Sequence, residues 1–205
     1  MRRYSELMIK SEDIYLLMSS LLSIGWKSIR PTSINRVIYL SAVLYSFIYP
    51  EEENIFQENY RFSICVGGPE DAEIENALDS LESNEVIKRT DQGYELNKDA
   101  GFSFPASQAN RKKEWFDVIK YIIGMYGEDK IYDFIFRDPE YRESLQSNSL
   151  YNLDIGDKNA TVKFLNQFKN AFEEHLPSKE DALDDKKYLE LYFEYVFGRI
   201  MRGEK

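Results

Sequence analysis

Two residues could form a nucleophilic pair, because the 205-residue chain holds one cysteine, Cys65, and one histidine, His175. A Cys/His dyad would need Cys65, in "YRFSICV", to meet His175, in "EEHLP", across more than half the chain. The simpler reading is a buried cysteine and a surface histidine. A structural zinc site needs about four His/Cys ligands, so these two cannot supply one. "CVGGPED", starting at Cys65, pairs two glycines but lacks the spacing and the Lys-Ser/Thr of a phosphate loop. Acid pairs such as Asp184-Asp185 are too common among 36 acids to mark acid/base catalysis. The residues therefore indicate no catalytic set, no cofactor and no metal.

The remaining candidate chemistry is charge. Net charge is −10, which opposes coating a nucleic acid over a large surface. The charge is uneven, however. Residues 1–48 carry six bases and three acids, whereas residues 50–86 carry eleven acids and the single base Arg61. From Pro69 to Glu85 there are seven carboxylates, including Glu73 and Asp79, and no Lys or Arg. Bases cluster just beyond, at Lys88 and Arg89 and at Arg111, Lys112 and Lys113. These five could touch a phosphate backbone without reading sequence, or could simply be solvated.

The elements that position these residues follow from periodicity and turn chemistry. "DIYLLMSSLLS" predicts a helix from Asp13 to Ser23. A second helix should start after caps at Thr32 and Ser33, reach about Ile48, and be buried on most of its circumference. "EEENIFQEN" reads as an acidic loop, and residues 60–66 as a short strand broken by Gly67-Gly68. Pro69 then takes the first position of a helix whose stripe is Ile74, Ala77, Leu78 and Leu81. "VIKR", the turn "TDQG" and "YEL" make a hairpin with Gly93 at a position tolerating positive φ.

Beyond a linker over residues 97–110 the pattern is helical. Trp115, Ile119, Ile122 and Ile123 stack on one helix, and Asp138 caps another with Pro139 at its first position. Phe164, Leu165, Phe168, Ala171 and Phe172 align on a third. The last helix, introduced by Ser178-x-x-Asp181, has two apolar faces: Tyr188, Leu191, Tyr192 and Tyr195 on one, Leu189, Phe193, Val196 and Ile200 on the other. Two faces imply burial between neighbours or contact with a partner, so Tyr188, Tyr192, Tyr195, Glu73 and Asp79 are the candidate partner-binding residues. Fifteen Tyr and thirteen Phe suit either a tyrosine-rich core or an interface.

The expected fold is mainly α with a small β-hairpin wing: a winged-helix-like domain over residues 1–100 and a helical domain over 108–205. A helix followed by a hairpin is the order of a recognition helix and wing. Yet the acid-rich helix offers only Asn76, Ser80, Ser83 and Asn84 to bases, among carboxylates that phosphates repel. No apolar run approaches the roughly 18 residues a membrane span needs. "MRRYSELMIKSED" lacks the apolar core of a secretory signal, and the cysteine count allows no intramolecular disulfide, so a cytoplasmic location is expected.

Four stretches, "SINRVIYLSAVLYSF", "FSICVGGP", "EIENALDSLESNEVI" and "DQGYELN", follow one another in an order that resembles the middle component of bacterial ABC-three-component defence systems, nearest the Lamassu accessory subunit. "IYDFIFRDPEYRESL" and "YLELYFEYVFGRI" are similar to that group as well. A strand leading into Gly-Pro and a helix also resembles Panacea-type antitoxin domains. The first resemblance implies a non-catalytic subunit that bridges an SMC-like ATPase and a toxic effector, often a nuclease, in anti-phage or anti-plasmid defence. DNA contact within the complex is possible, and no catalytic residue is carried over. The alternative is a winged-helix transcriptional regulator or antitoxin.

Overall fold

A computed structural model describes residues 2–97, 109–176 and 182–203. It is mainly helical, at 61% helix, with two small antiparallel strand pairs.

The first helix, α1 (Arg2–Leu22), starts well before Asp13. Its apolar stripe is Ile14, Leu17, Met18 and Leu21, all buried. The preceding turns persist because Lys10 and Asp13, which read as surface residues, are buried by ion pairing. The second helix, α2 (Pro31–Ile48), places Pro31 in its first turn after Arg30, so Thr32 and Ser33 lie inside the helix and do not cap it. Every residue of α2 from Ser33 to Phe47 is buried, which makes it the axis of the molecule. On it pack α4 (Ala109–Ile122), α5 (Gly127–Ile135), α7 (Ala160–Glu173) and α8 (Asp185–Met201).

Where one strand was expected over residues 60–66 there is a tight hairpin. Strand β1 (Ser63–Cys65) pairs with β2 (Gly68–Glu70), with Ile64 opposite Pro69. Gly68 adopts φ +117°, so the paired glycines turn the chain back on itself. Pro69 consequently lies in a strand and not at a helix start. The acidic helix, α3 (Glu73–Ser83), begins later, where Asp71 Oδ1 accepts the Glu73 N–H at 2.9 Å. Its stripe Ile74, Ala77, Leu78 and Leu81 is buried as the spacing requires. The second hairpin joins β3 (Ile87–Thr90) to β4 (Gly93–Leu96), pairing Thr90 with Gly93. Tyr94 ties it down by exchanging two 2.9 Å backbone hydrogen bonds with Ile29.

The second half adds α6 (Pro139–Gln146) to the helices named above. Asp138 caps α6, accepting the Tyr141 N–H at 3.0 Å. Asn159 caps α7, and Asp184 caps α8. Ser178 and Asp181, expected as the cap of the last helix, lie outside the described residues, as does most of the 97–110 linker. One hydrophobic cluster runs from Ile14 to Ile200, so residues 1–100 and 108–205 share a core. Trp115 shows how closely: its indole N–H donates to the Ser41 carbonyl of α2 at 2.9 Å.

Candidate functional site

Helix α3 and the β3–β4 hairpin stand side by side, with the carboxylates of α3 turned outward because its apolar stripe faces α1. One of the hairpin's two bases is aimed at these acids. Arg89 approaches Asp79 at 3.7 Å and Glu82 at 3.6 Å, and its guanidinium lies over the Tyr94 ring at 5.1 Å. Lys88 pairs across the hairpin with Glu95 at 2.9 Å. Glu73, at the start of α3, accepts from Asn76 at 3.1 Å.

The three bases of α4 are equally engaged. Arg111 pairs with Glu52 and lies over the Tyr45 and Tyr49 rings at 5.4 and 5.6 Å. Lys112 is buried and pairs with Asp13 at 2.8 Å. Lys113 pairs with Asp117 at 3.3 Å. All five bases expected near phosphate are therefore beside carboxylates: the hairpin pair against α3 and β4, the α4 trio against α1, α4 itself and the acidic 51–59 loop. For Lys112 the expectation of nucleic-acid contact is corrected outright, since only 3% of its side chain is exposed.

Lys112 belongs to an internal network. Asp13 also accepts from the Tyr60 hydroxyl at 3.0 Å, and Lys10 lies over the Tyr60 ring at 5.0 Å. Burial pushes the Asp13 carboxyl up, while Lys112 and Tyr60 pull it down. On the same stretch of α1, burial and the neighbouring Asp13 raise Glu12, with Lys112 opposing.

The tyrosines of α8 divide. Tyr188 and Tyr192 are buried beneath α7, packing edge-on to Phe172 and Phe168 at ring distances of 5.7 and 5.6 Å. They are core residues and are withdrawn as partner contacts: of the two readings of this face, burial between neighbours holds, because α7 covers it. Tyr195 is 57% exposed. Much of the aromatic surplus is used internally, as in the Phe134, Phe193 and Phe197 cluster.

Three further groups could do chemistry by residue type. Asp138 is fully buried and accepts from Thr161 Oγ1 at 2.6 Å and the Tyr39 hydroxyl at 3.1 Å. Burial drives its pKa up to about 6 against the pull of these hydrogen bonds. With no exposed surface it meets no substrate, and its role is to join α2, α6 and α7. Cys65 is exposed, and burial with the adjacent Glu70 raises its thiol pKa, the opposite of an activated thiolate. His175 bonds the Ala171 carbonyl at 2.8 Å at the end of α7. Among the described residues no group of three or more His, Cys, Asp or Glu could hold a metal ion, and no helix is long and apolar enough to cross a membrane.

A cleft of about 530 Å³ opens between α3, the two hairpins and the start of α2, lined by Arg30, Asp71, Glu75, Arg89 and Asp91 among others. Sequence reasoning missed it because it brings together turns far apart in the chain, at Gly67-Gly68 and Gly93. A second groove, of about 780 Å³, lies between α6, α7 and α8, and Tyr195 forms part of its wall. Its arginines, Arg137 in the turn before α6, Arg142 on α6 and Arg199 on α8, were likewise missed, since isolated bases so far apart form no motif. Comparison with known proteins gives no family: no family model, no curated protein and no solved structure matches the chain.

Proposed function

We propose that this chain is a non-catalytic adaptor, the accessory subunit of a cytoplasmic SMC-like ATPase complex in bacterial anti-phage or anti-plasmid defence, bridging the ATPase and a toxic effector. Within this reading α3 and the β3–β4 hairpin are the helix and wing of a winged-helix-like unit turned from DNA to protein. The defence setting rests on the resemblance of the helix, Gly-Pro hairpin, acidic helix and wing order. The use of the unit rests on one observation: Lys88, Arg89, Arg111, Lys112 and Lys113 are each beside a carboxylate of the chain itself.

A DNA reader keeps its bases available, because phosphate contacts supply most of its affinity. Here a phosphate would have to displace Glu95, Asp79, Glu82, Glu52 or Asp117 and settle among further acids. The solvated carboxylates of α3 suit a basic protein surface better. Expression from the native operon with an affinity tag on this chain tests the proposal. A long coiled-coil ATPase should co-purify in fixed stoichiometry; recovery of the chain alone as a monomer would overturn the adaptor reading.

A further inference from the structure

A cleft of about 520 Å³ opens where the start of α4 meets α1 and the acidic 51–59 loop. Four carboxylates line it, Glu12, Glu52, Glu53 and Glu58, against two bases, Arg111 and Lys112. Both bases are engaged. Arg111 pairs with Glu52, and the Lys112 ammonium lies 2.8 Å from Asp13, which is fully buried. Glu12, Glu53 and Glu58 remain, with no ion pair or hydrogen bond to their carboxylates among the described residues. Glu12 is the unusual one. Only 9% of it is exposed, and its Oε1 is out of solvent and accepts no hydrogen bond among the described residues. Lys112 draws on it by charge but does not bond it, being held by Asp13. A covered carboxylate of this kind costs free energy unless a cation reaches it. The loop bearing Glu53 and Glu58 is fixed by Asn54, which donates to the Ala42 and Ile155 carbonyls at 2.8 and 3.0 Å and accepts the Phe56 N–H at 2.9 Å.

We propose that this cleft binds a linear aliphatic polyamine. One ammonium group meets Glu12 at the buried end, the methylene chain lies over the half-buried Ile9 and Ile55, and further ammonium groups meet Glu53 and Glu58 at the exposed rim. Two observations select this occupant. Among the described residues no three acids come together to hold a metal ion, so the positive charge must be spread along the ligand. The two isoleucines add apolar surface among the carboxylates, which methylene groups cover and a hydrated ion does not. A lysine side chain of a partner protein has the same stem and head but a single charge; it is the competing outcome of the test. Such a site needs no partner subunit and does not depend on the adaptor reading.

Isothermal titration calorimetry of the full chain with spermidine at low salt should show one site, weakened in concentrated salt. Glu12→Gln should weaken binding about tenfold or more, and Glu53→Gln with Glu58→Gln should do the same. Glu75→Gln with Asp91→Asn takes two charges from the cleft beside α3 and should leave binding unchanged, which separates a site from the general pull of a chain of net charge −10. Glu12→Gln keeps the shape and removes an unpartnered charge, so its melting temperature should equal or exceed that of the unaltered chain. Spermidine should raise melting of the unaltered chain and not of Glu12→Gln. Glu53 and Glu58 are exposed, so their variant folds and tests the rim independently. No binding, equal weakening by the Glu75 and Asp91 control, or tighter binding of N-acetyl-lysine amide than of spermidine would each overturn the proposal. None of these outcomes alters co-purification with an ATPase, which tests the adaptor reading separately.

Discussion

Lys10 Nζ lies 2.6 Å from Asp71 Oδ1, with both side chains almost wholly out of solvent. The pair pins α1 to the segment that launches α3. Asp71 also accepts the Arg61 N–H at 2.7 Å and the Glu73 N–H at 2.9 Å, while its own N–H donates to Asn35 at 2.9 Å. One of the seven acids between Pro69 and Glu85 is thus a structural hub, and Glu73, Glu75, Asp79 and Glu82 are the carboxylates that α3 itself carries.

Removing one partner of a buried ion pair leaves the other charge unsolvated. Lys10→Met should therefore lower unfolding free energy by about 3–5 kcal/mol. Asp71→Ala should cost at least as much, because it also strands two backbone N–H groups. The double variant should lose less than the sum of the two. Denaturant midpoints measure all three, and a loss below about 1 kcal/mol for Lys10→Met would show the pair to be solvated.

Asp138 makes stability depend on pH in a known direction. Its folded pKa, about 6, stands above the ordinary 3.8, so the folded state binds the proton more tightly. Its contribution is complete below pH 3.8 and is lost as pH rises to about 6. The step is about 3 kcal/mol, from roughly two pKa units in a fully buried group. Asp117 acts in the opposite sense at lower pH: burial raises it, but hydrogen bonds from Lys120, Ser20 and Lys113 outweigh this and hold it at about 2. Comparison with Asp138→Asn isolates the first step. Relative to that variant, the unaltered chain should lose about 2 kcal/mol of this step between pH 4 and 6.5 in urea titrations. A constant difference across that window would refute the assignment.

How much of this was legible in the sequence depends on distance along the chain. The α3 stripe, the Gly93 turn and the Asp138 cap rest on neighbours within a few residues, and local periodicity reveals them. Lys10, Lys112 and Asp138 look like surface residues by type, yet they are buried because their partners Asp71, Asp13 and Tyr39 arrive from 61, 99 and 99 positions away. Pro69 was misplaced for a related reason. A Gly-Gly-Pro run serves equally as a helix start or a hairpin turn, and packing of Gly68 against Ile135 and Arg36 decides for the hairpin. Whether Tyr188 and Tyr192 meet a neighbouring helix or a partner was open in the sequence, because α7, which covers them, cannot be docked onto α8 from spacing alone. The Arg137, Arg142 and Arg199 groove had no local signal.

The β3–β4 hairpin offers a sharper test of backbone geometry. Gly93 adopts φ +129°, and a Cβ there would fall onto the Ile29 carbonyl, the group that receives the Tyr94 N–H. Gly93→Ala should therefore break the bridge that holds the hairpin to the body, costing about 2–4 kcal/mol through strain and lost hydrogen bonds. Amide exchange at Tyr94 and Thr90 should accelerate first, while the helical core stays protected. Unchanged protection at Tyr94 would show that the hairpin is held by other contacts.

The pairing of the hairpin bases leads to the last prediction. Arg89 is shared between Asp79, Glu82 and the Tyr94 ring, and Lys88 is held by Glu95. If these contacts use up the bases, the purified chain should show little affinity for a duplex of about 30 base pairs at physiological salt, and little change of affinity with salt. Lys88→Ala with Arg89→Ala should then leave that weak binding unaltered. Releasing the bases should do the reverse: Asp79→Asn with Glu82→Gln and Glu95→Gln removes three negative charges and frees both cations, so affinity should rise and acquire a salt dependence of about two phosphate contacts. Tight, steeply salt-dependent binding by the unaltered chain, weakened by the Lys88 and Arg89 substitutions, would instead make α3 and its wing a DNA-binding unit and restore the regulator or antitoxin reading.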